Sequence, residues 1–457
     1  MCKNTATALF TFLFLLPAIL SAGEYRAPSP EPTPIETLMV EYMNRFRADP
    51  KAEANRIAPP GPKKGRRGVD LGMFRKETSA LPKAPPVVIN LNLLKAARKH
   101  SHYQILNGMT HTQSPGKPGF TGKSFGERCK KAGYQGRPRS ENCFRDARGA
   151  WVAHSGFIVD AGPDGPGGMQ PGRGHRRNMA DPGVREVGCS GLPHSGRLCV
   201  THDFGVQSTR FAGGVVYVDS DGDGFYSIGE GVGGVTIAAS DGSVVQTWAS
   251  GAYTLPLKSS RAVTLKATSM GILHSQQIPD GKTNVKFDWI INPKALADHA
   301  DKLIAKVEQI PAENEGPRRK AAINMLLGTQ GLPLADEQRT RIAKLAGSAG
   351  EELRSCQQAV LTALKDYDAQ AFPKVISEKS QAFSGTPAAS WFSEASLLGK
   401  VKKQVLALEA NAKRQKISPA VKRPFIKQLD MLGLRLKETV FLAELNSLKS
   451  RAESAGQ

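Results

Sequence analysis

The chain has 457 residues, of which 40% are hydrophobic and 23% are charged, and its formal net charge at pH 7 is +21. This apolar fraction is ordinary for packed globular domains, so a mainly disordered chain is excluded and the length predicts two to four domains. The charge is uneven, because residues 211–292 are slightly acidic whereas the segments on either side are basic. These shifts predict domain boundaries near residues 211 and 293.

The first residues have the layout of a signal peptide. An apolar run at 6–20 follows the single basic residue Lys3 and ends at small residues near 21–23. A run of this length is too short to span a bilayer, and no second one follows. We therefore expect a signal peptide at 1–22, export to the periplasm, cell envelope or exterior, and no transmembrane segment in the mature chain. The proline-rich residues 23–35 predict an extended tether.

Five cysteines follow the signal segment. An exported chain can form disulfides, and the close spacing predicts two bridges, Cys129 with Cys143 and Cys189 with Cys199. Cys356 is then left over. Buried free thiols are the alternative, and the sequence leaves it open.

Two amphipathic helices open the first folded block. Residues 36–47 (ETLMVEYMNRFR) place their apolar side chains on one helical face, and Asp49-Pro50 marks the end of this helix. A second helix is predicted from Leu91 to about Leu106, where Gly108 stops it.

These helices belong to an ordered succession of motifs: NRFR, LNLLKAARKHS, MTHTQSPG, GERCKKAGY, SENC, GHRRNMADPGVREVGCS and CVTHDFG. The succession resembles the bacterial form of the CAP superfamily, which comprises cysteine-rich secretory, antigen 5 and pathogenesis-related proteins. The strongest single match is residues 174–188. The resemblance implies an α-β-α sandwich at 36–208 with a cleft over its sheet.

The resemblance also implies which residues line the cleft. The family's histidine and glutamate positions fall on His111, Glu141 and His175, and its fourth position, a glutamate in the eukaryotic pattern, is His154 here. Imidazole nitrogens and carboxylate oxygens bind divalent metals such as zinc. Histidine at position 154 either removes a carboxylate from the site or adds a third imidazole to it. The alternative to a metal site is that these histidines have a purely structural role.

Residues 219–230 contain the most specific short motif of the chain. Asp219, Asp221, Asp223, the Phe225 carbonyl and Glu230 occupy the ligand positions of a twelve-residue calcium loop. Strand-like runs flank the loop, in place of the helices of a true EF-hand. Residues 211–291 therefore resemble the small calcium-stabilised β-sandwich modules of bacterial surface proteins, with a spacer role. An acidic turn without metal is the alternative reading.

The remaining segment, 294–457, has helical apolar spacing interrupted by Gly, Pro and Ser clusters. This pattern predicts an all-α bundle without a readable function. The expected fold is thus multidomain: a CAP α-β-α sandwich, a small all-β sandwich and a helical region.

The first hypothesis for function is an exported CAP protein whose cleft binds a divalent metal, a small ligand such as a lipid-like molecule or envelope component, or both. The second is a metal-assisted secreted hydrolase or peptidase with Glu141 as base. The third is a structural envelope or adhesion protein. Neither a Gly-x-Ser-x-Gly elbow nor a His-Glu-x-x-His helix occurs, so the usual serine-hydrolase and zincin patterns lack support. A nucleic-acid partner is not expected, and the oligomeric state is open.

Overall fold

The computed structural model describes residues 29–61, 65, 68–269, 272–329, 332, 334–366, 371–384, 386, 388–412, 418–436 and 441–455. The predicted signal peptide and the first residues of the predicted tether lie outside this part of the chain.

The first folded block is built on a four-stranded sheet with the strand order β1-β3-β4-β2. Its strands are β1 Val88–Ile89, β2 Arg137–Ala147, β3 Glu186–His194 and β4 Arg197–Val206. The strand pairs β3–β4 and β2–β4 are antiparallel, whereas β1 joins β3 in parallel. The α-helices that the structure describes around the sheet are α1 Pro34–Ala48, α2 Pro50–Ile57, α3 Leu71–Ser79, α4 Leu91–Asn107, α5 Phe125–Lys131, α6 Ala150–Val159 and α7 Gly174–Ala180.

Local capping explains where the two longest of these helices begin. At α1, the Thr33 side chain accepts from the backbone of Glu36, and the Glu36 carboxylate accepts from the backbone of Thr33, which is a capping box. At α4, the Asn90 side chain accepts from the first backbone amides of the helix. Helix α4 ends at Gly108, whose φ of 94° suits glycine.

Helices cover both faces of the sheet. Thr201 of β4 accepts hydrogen bonds from Ser101 and Gln104 of α4, whereas the ring of the next residue, His202, packs on Phe157 of α6. Because successive strand residues point to opposite faces, α4 and α6 lie on opposite sides of the sheet. The block is therefore a three-layer α-β-α arrangement.

The next block is all-β. It contains β5 Arg210–Val218, β6 Thr236–Ala239, β7 Val244–Gln246, β8 Ala252–Leu257, β9 Val263–Ser269, β10 Ile272–Ile278, β11 Val285–Lys286 and β12 Trp289–Ile291. One sheet has the order β10-β9-β6-β7, and the other is built on β5, which pairs with β8, β11 and β12. Buried side chains of both sheets, including Val216, Ile237, Leu255 and Leu265, share one core.

The all-β block packs directly on the α-β-α block. Four of its buried residues, Val215, Tyr217, Tyr226 and Ala252, belong to the same apolar cluster as the core of the first block. Polar contacts cross the same boundary: the Lys286 ammonium lies 2.7 Å from a carboxylate oxygen of Glu41 in α1, and Thr37 donates to the Ser250 hydroxyl at 2.8 Å.

The C-terminal region consists of helices α8 Pro293–Glu308, α9 Glu315–Thr329, α10 Asp336–Lys365, α11 Ala371–Ala382, α12 Ala388–Ala412, α13 Pro419–Leu436 and α14 Leu442–Ser454. Helices adjacent in sequence contact each other, which makes the region a bundle. Its apolar core is continuous with that of the all-β block. Of the helices the structure describes, none combines the length and the apolarity needed to cross a membrane.

The cysteines depart from the predicted pairing, because all five in the described chain are buried free thiols. In the β3–β4 ladder Cys189 pairs with His202, whereas Cys199 pairs with Leu192. The two thiols are thus offset by three strand positions and point to opposite faces, a separation of about 10 Å that a disulfide cannot bridge. The Cys129–Cys143 bridge is also absent: Cys129 packs in a small apolar cluster of α4 and α5, and the Cys143 sulfur lies 3.7 Å from Nδ1 of His111.

Candidate functional site

A cavity of about 870 Å³ opens between β2, α6, α7 and the loop that precedes α7. Its wall combines aromatic, cationic and metal-ligating side chains, namely Cys143, Arg145, Arg148, Trp151, Arg197 and His175. Met109 and Val152 also line it, although 60% and 39% of their surfaces remain exposed. Of the four predicted cleft residues, His111, Glu141, His154 and His175, only His175 is among the residues that line this cavity.

His111 and Glu141 are in direct contact with each other, and neither is among the residues that line the cavity. Nδ1 of His111 lies 2.8 Å from Oε1 of Glu141, and the imidazole is about half exposed. His111 also touches Cys143, which lines the cavity. Because a carboxylate only accepts hydrogen bonds, Nδ1 carries the hydrogen and Nε2 keeps a free lone pair.

Both carboxylate oxygens of Glu141 have hydrogen-bond partners. Its second oxygen accepts a short hydrogen bond from the guanidinium of Arg128, and Nε2 of His100 lies 3.7 Å away. Burial alone would raise the pKa of Glu141, but the hydrogen bond from His111 and the charge and hydrogen bond of Arg128 outweigh it, so the pKa lies below its usual range. Glu141 is therefore held as an ionised acceptor, which makes it a weak base.

His100, Glu141 and Cys143 lie close enough together to hold a metal ion, and all three are buried. His100, however, already uses both ring nitrogens. Nε2 contacts the Thr110 carbonyl at 2.8 Å, and Nδ1 contacts the Gln113 side-chain amide at 3.0 Å. His100 is thus a neutral histidine that anchors the loop carrying His111.

His175, at the start of α7, is held by a residue that the sequence analysis did not single out. Its Nδ1 lies 2.7 Å from Oδ1 of Asp160, and its backbone N–H donates to Oδ2 at 3.0 Å. Asp160 is fully buried, whereas the imidazole is partly accessible from the cavity. Asp160 lies 15 positions earlier, at the far end of the loop that precedes α7, and sequence spacing alone does not indicate such a contact.

His154 lies elsewhere. Its Nε2 contacts Oε1 of Glu53 at 2.8 Å, and its ring packs beside Tyr42 and Trp151 in the interior. Glu53 also accepts two hydrogen bonds from Arg45, at 2.8 and 2.9 Å. Within the described residues, no hydrogen bond or ion pair joins His154 to the other three predicted cleft residues. In the same part of the chain, no hydrogen bond or ion pair joins His175 to His111 or to Glu141.

The predicted calcium loop connects β5 to the rest of the all-β block. Ligand atoms of Asp219, Asp221 and Asp223 lie within 4.8 Å of one another. The buried Glu230 carboxylate faces back into the loop, where it accepts from the backbone amides of Ser220 at 2.7 Å and Ser227 at 2.8 Å.

Phe225, at the centre of this loop, reaches the first folded block. Its ring stacks on Tyr42 of α1 at 5.4 Å with an interplanar angle of 9°. The guanidinium of Arg45 lies 4.4 Å from the centre of the same ring and 5.6 Å from that of Trp151. The loop therefore packs against α1.

Comparison with known proteins agrees with this architecture. Residues 40–202 match the family model described as CAP, the cysteine-rich secretory protein family. No curated protein and no solved structure gives a significant match to the chain. The matched segment contains β1, β2, β3 and the first part of β4, helices α2 to α7, most of α1, and the His111, Glu141 and His175 positions. Residues 40–202 therefore form a CAP domain.

Proposed function

We propose that the CAP cleft is a binding site for a divalent cation such as Zn²⁺, with Nε2 of His111 and of His175 as protein ligands. The observation that carries the proposal is common to both residues. Nδ1 of His111 lies 2.8 Å from a Glu141 oxygen, and Nδ1 of His175 lies 2.7 Å from an Asp160 oxygen. In both residues this contact leaves Nε2 for another partner. Metal-binding histidines in proteins are typically oriented by such a carboxylate.

The test is zinc titration of the full-length protein by isothermal calorimetry, in excess calcium so that the acidic loop is occupied. We expect His111→Ala and His175→Ala each to lower zinc affinity at least tenfold. His299→Ala, in the helical region, is the matched control and should bind as the unaltered protein does. Equal zinc binding by all four proteins would refute the proposal.

A small organic ligand is the second part of the proposed function. Three arginines, Arg145, Arg148 and Arg197, line the cavity beside the apolar surfaces of Trp151 and Val152. Cationic and apolar groups together suit an anionic amphiphile, which is consistent with a lipid-like or envelope ligand. We expect dodecanoate to bind more tightly than its uncharged methyl ester, and Arg148→Ala to remove the difference. No preference for the anion in the unaltered protein would contradict this assignment.

The hydrolase alternative receives less support. It requires Glu141 to take a proton from water, but both of its oxygens are engaged and its pKa is lowered. A base acts best with a pKa near the working pH. We therefore favour binding over catalysis.

We further propose that Asp219, Asp221, Asp223, the Phe225 carbonyl and Glu230 hold Ca²⁺, and that the chain is exported. The clustered carboxylates support the first proposal. The N-terminal sequence pattern supports the second. N-terminal sequencing of the secreted protein tests export, with a mature start near residue 23 as the expected result.

A further inference from the structure

We infer that Asp160 is the positioning residue of His175: it fixes the tautomer and the orientation of the ring so that Nε2 is presented to the cleft. The inference rests on the proposed binding function for its consequence, but its geometric basis is independent of any metal. Both Asp160 oxygens contact the same residue, at the backbone N–H and at Nδ1 of His175.

The backbone at Asp160 is adapted to this contact. Helix α6 ends there with Asp160 in the left-handed region, at φ 55° and ψ 47°. Few residues other than glycine adopt this conformation, although aspartate is among those that tolerate it. The turn directs the chain away from α6 and leaves the carboxylate buried beneath α7, with 1% of the residue exposed.

The loop between Asp160 and His175 closes on itself and brings its two ends together. The Asp160 carbonyl accepts from Gln170 at 2.6 Å, Gly162 donates to Gly168 at 3.1 Å, and Ala161 and Met169 form an antiparallel bridge. The loop is therefore a closed, hydrogen-bonded unit whose ends carry the aspartate and the histidine.

Arg173 ties the same loop to α3. Its guanidinium makes two hydrogen bonds to the Glu77 carboxylate, both at 3.0 Å, and also donates to the Met169 and Gln170 carbonyls. Arg176 adds a contact to Glu77 at 2.8 Å. These links fix the direction from which α7 starts, so His175 has little freedom to turn away from Asp160.

A simpler role for Asp160 would be to accept the backbone N–H of His175 and thereby start α7. Asp160→Asn separates the two roles. The asparagine carbonyl can still accept that backbone hydrogen bond, but its NH₂ group would face Nδ1 and donate to it. We expect the His175 hydrogen to move to Nε2 in this variant, which removes the lone pair needed to bind a metal.

The experiment reads the tautomer directly. His175 side-chain ¹⁵N shifts, measured in full-length protein with labelled histidine and assigned through His175→Gln, should report hydrogen on Nδ1 in the unaltered chain and on Nε2 in Asp160→Asn. Zinc affinity should fall about 10- to 100-fold in the same variant. The matched control is Asp181→Asn, because the Asp181 side chain accepts hydrogen bonds from Arg139 and from the Gly183 backbone and none from His175.

An Nε2–H tautomer in the unaltered chain, or an unchanged tautomer in Asp160→Asn, would overturn the inference. If the tautomer changes as expected but the unaltered protein binds no zinc, the positioning role stands and the metal proposal fails. If zinc binds and Asp160→Asn alters neither tautomer nor affinity, Asp160 only caps the helix and the inference is wrong.

Discussion

His202 is a histidine enclosed in apolar surroundings. Its ring lies 4.8 Å from that of Phe157 and 6.1 Å from that of Phe204, and neither ring nitrogen has a hydrogen-bond partner among the residues that the structure describes. Burial, with smaller effects from His154 and His175, lowers its pKa to about 3. Burial likewise lowers the pKa of His100 to about 4. Both side chains are neutral in the folded protein at any ordinary pH.

Acidification should therefore remove the stability that these two neutral histidines contribute to the CAP domain. In the unfolded chain these histidines take up protons near pH 6.5, whereas the folded chain does not. Each such histidine should lower the free energy of unfolding by roughly 1.4 kcal/mol per pH unit as pH decreases from about 6.5 to 4.5. Buried carboxyl groups with raised pKa values, such as Glu41, act in the opposite direction, so the histidine contribution is the difference in pH slope between the unaltered chain and a histidine variant. Urea denaturation at pH 7, 6 and 5 measures this, and His202→Leu should remove one histidine's share. An unchanged pH slope in that variant would contradict the account.

The buried ion pair between Arg128 and Glu141 should contribute strongly to the stability of the fold. Its side chain is completely buried against the Glu141 carboxylate, so removing the cation leaves a buried anion without its main partner. We expect Arg128→Met to lower the free energy of unfolding by about 3–5 kcal/mol. The neighbouring exposed Lys130→Met should change it by less than about 0.5 kcal/mol. Similar values for the two variants in urea denaturation would show that the Arg128–Glu141 pair contributes little.

Among the elements, the loop 219–230 is the one whose stability should depend on an ion. Three carboxylates within 4.8 Å repel one another unless a cation lies between them. Extracellular calcium modules have dissociation constants of about 0.1–1 mM. Calcium at about 10 mM should then stabilise the folded chain by roughly 1.4–2.7 kcal/mol.

Differential scanning calorimetry of the full-length protein, with and without calcium, measures this effect as a rise in melting temperature. Glu230→Gln should abolish the rise, because that carboxylate organises the loop through Ser220 and Ser227. Asp164→Asn, which changes an exposed acid in the CAP block, is the control and should retain it. A melting temperature insensitive to calcium in the unaltered protein would end the proposal.

The elements also show how far sequence reasoning reaches. Apolar periodicity and the stop signals Asp49-Pro50 and Gly108 predict α1 and α4 well, because both signals are local. The Asp160–His175 and His154–Glu53 pairs depend on how loops and helices meet in space, and the second pair spans 101 sequence positions. The cysteine pairing was wrong for a related reason. Strand register decides which face a thiol occupies, and spacing along the chain does not reveal register.

At the scale of the whole molecule, the all-β block and the CAP domain share buried surface. The stack of Phe225, Tyr42 and Arg45 lies at this boundary together with the Lys286–Glu41 ion pair. Another apolar core joins the all-β block to the C-terminal helices. We therefore expect the blocks to unfold together, unlike independent domains on flexible linkers.

Phe225→Ala tests this coupling. Losing one aromatic stack and one cation–π contact should cost about 1–2.5 kcal/mol and lower the melting temperature of a single common transition. Ile228→Ala removes an apolar side chain from the same loop, but Ile228 is 56% exposed and its loss should have little effect. Two separate calorimetric transitions, of which Phe225→Ala shifts only one, would show that the blocks are independent.

The connection between the two blocks is very short, since β4 ends at Val206 and β5 begins at Arg210. Because the surfaces on either side of it are packed together, the covalent link is not what holds them in place. A single proteolytic nick between these strands should yield two fragments that remain associated and elute together from a sizing column. They should separate only under denaturing conditions. For this protein, a cleaved chain on a gel would not by itself mean a released domain.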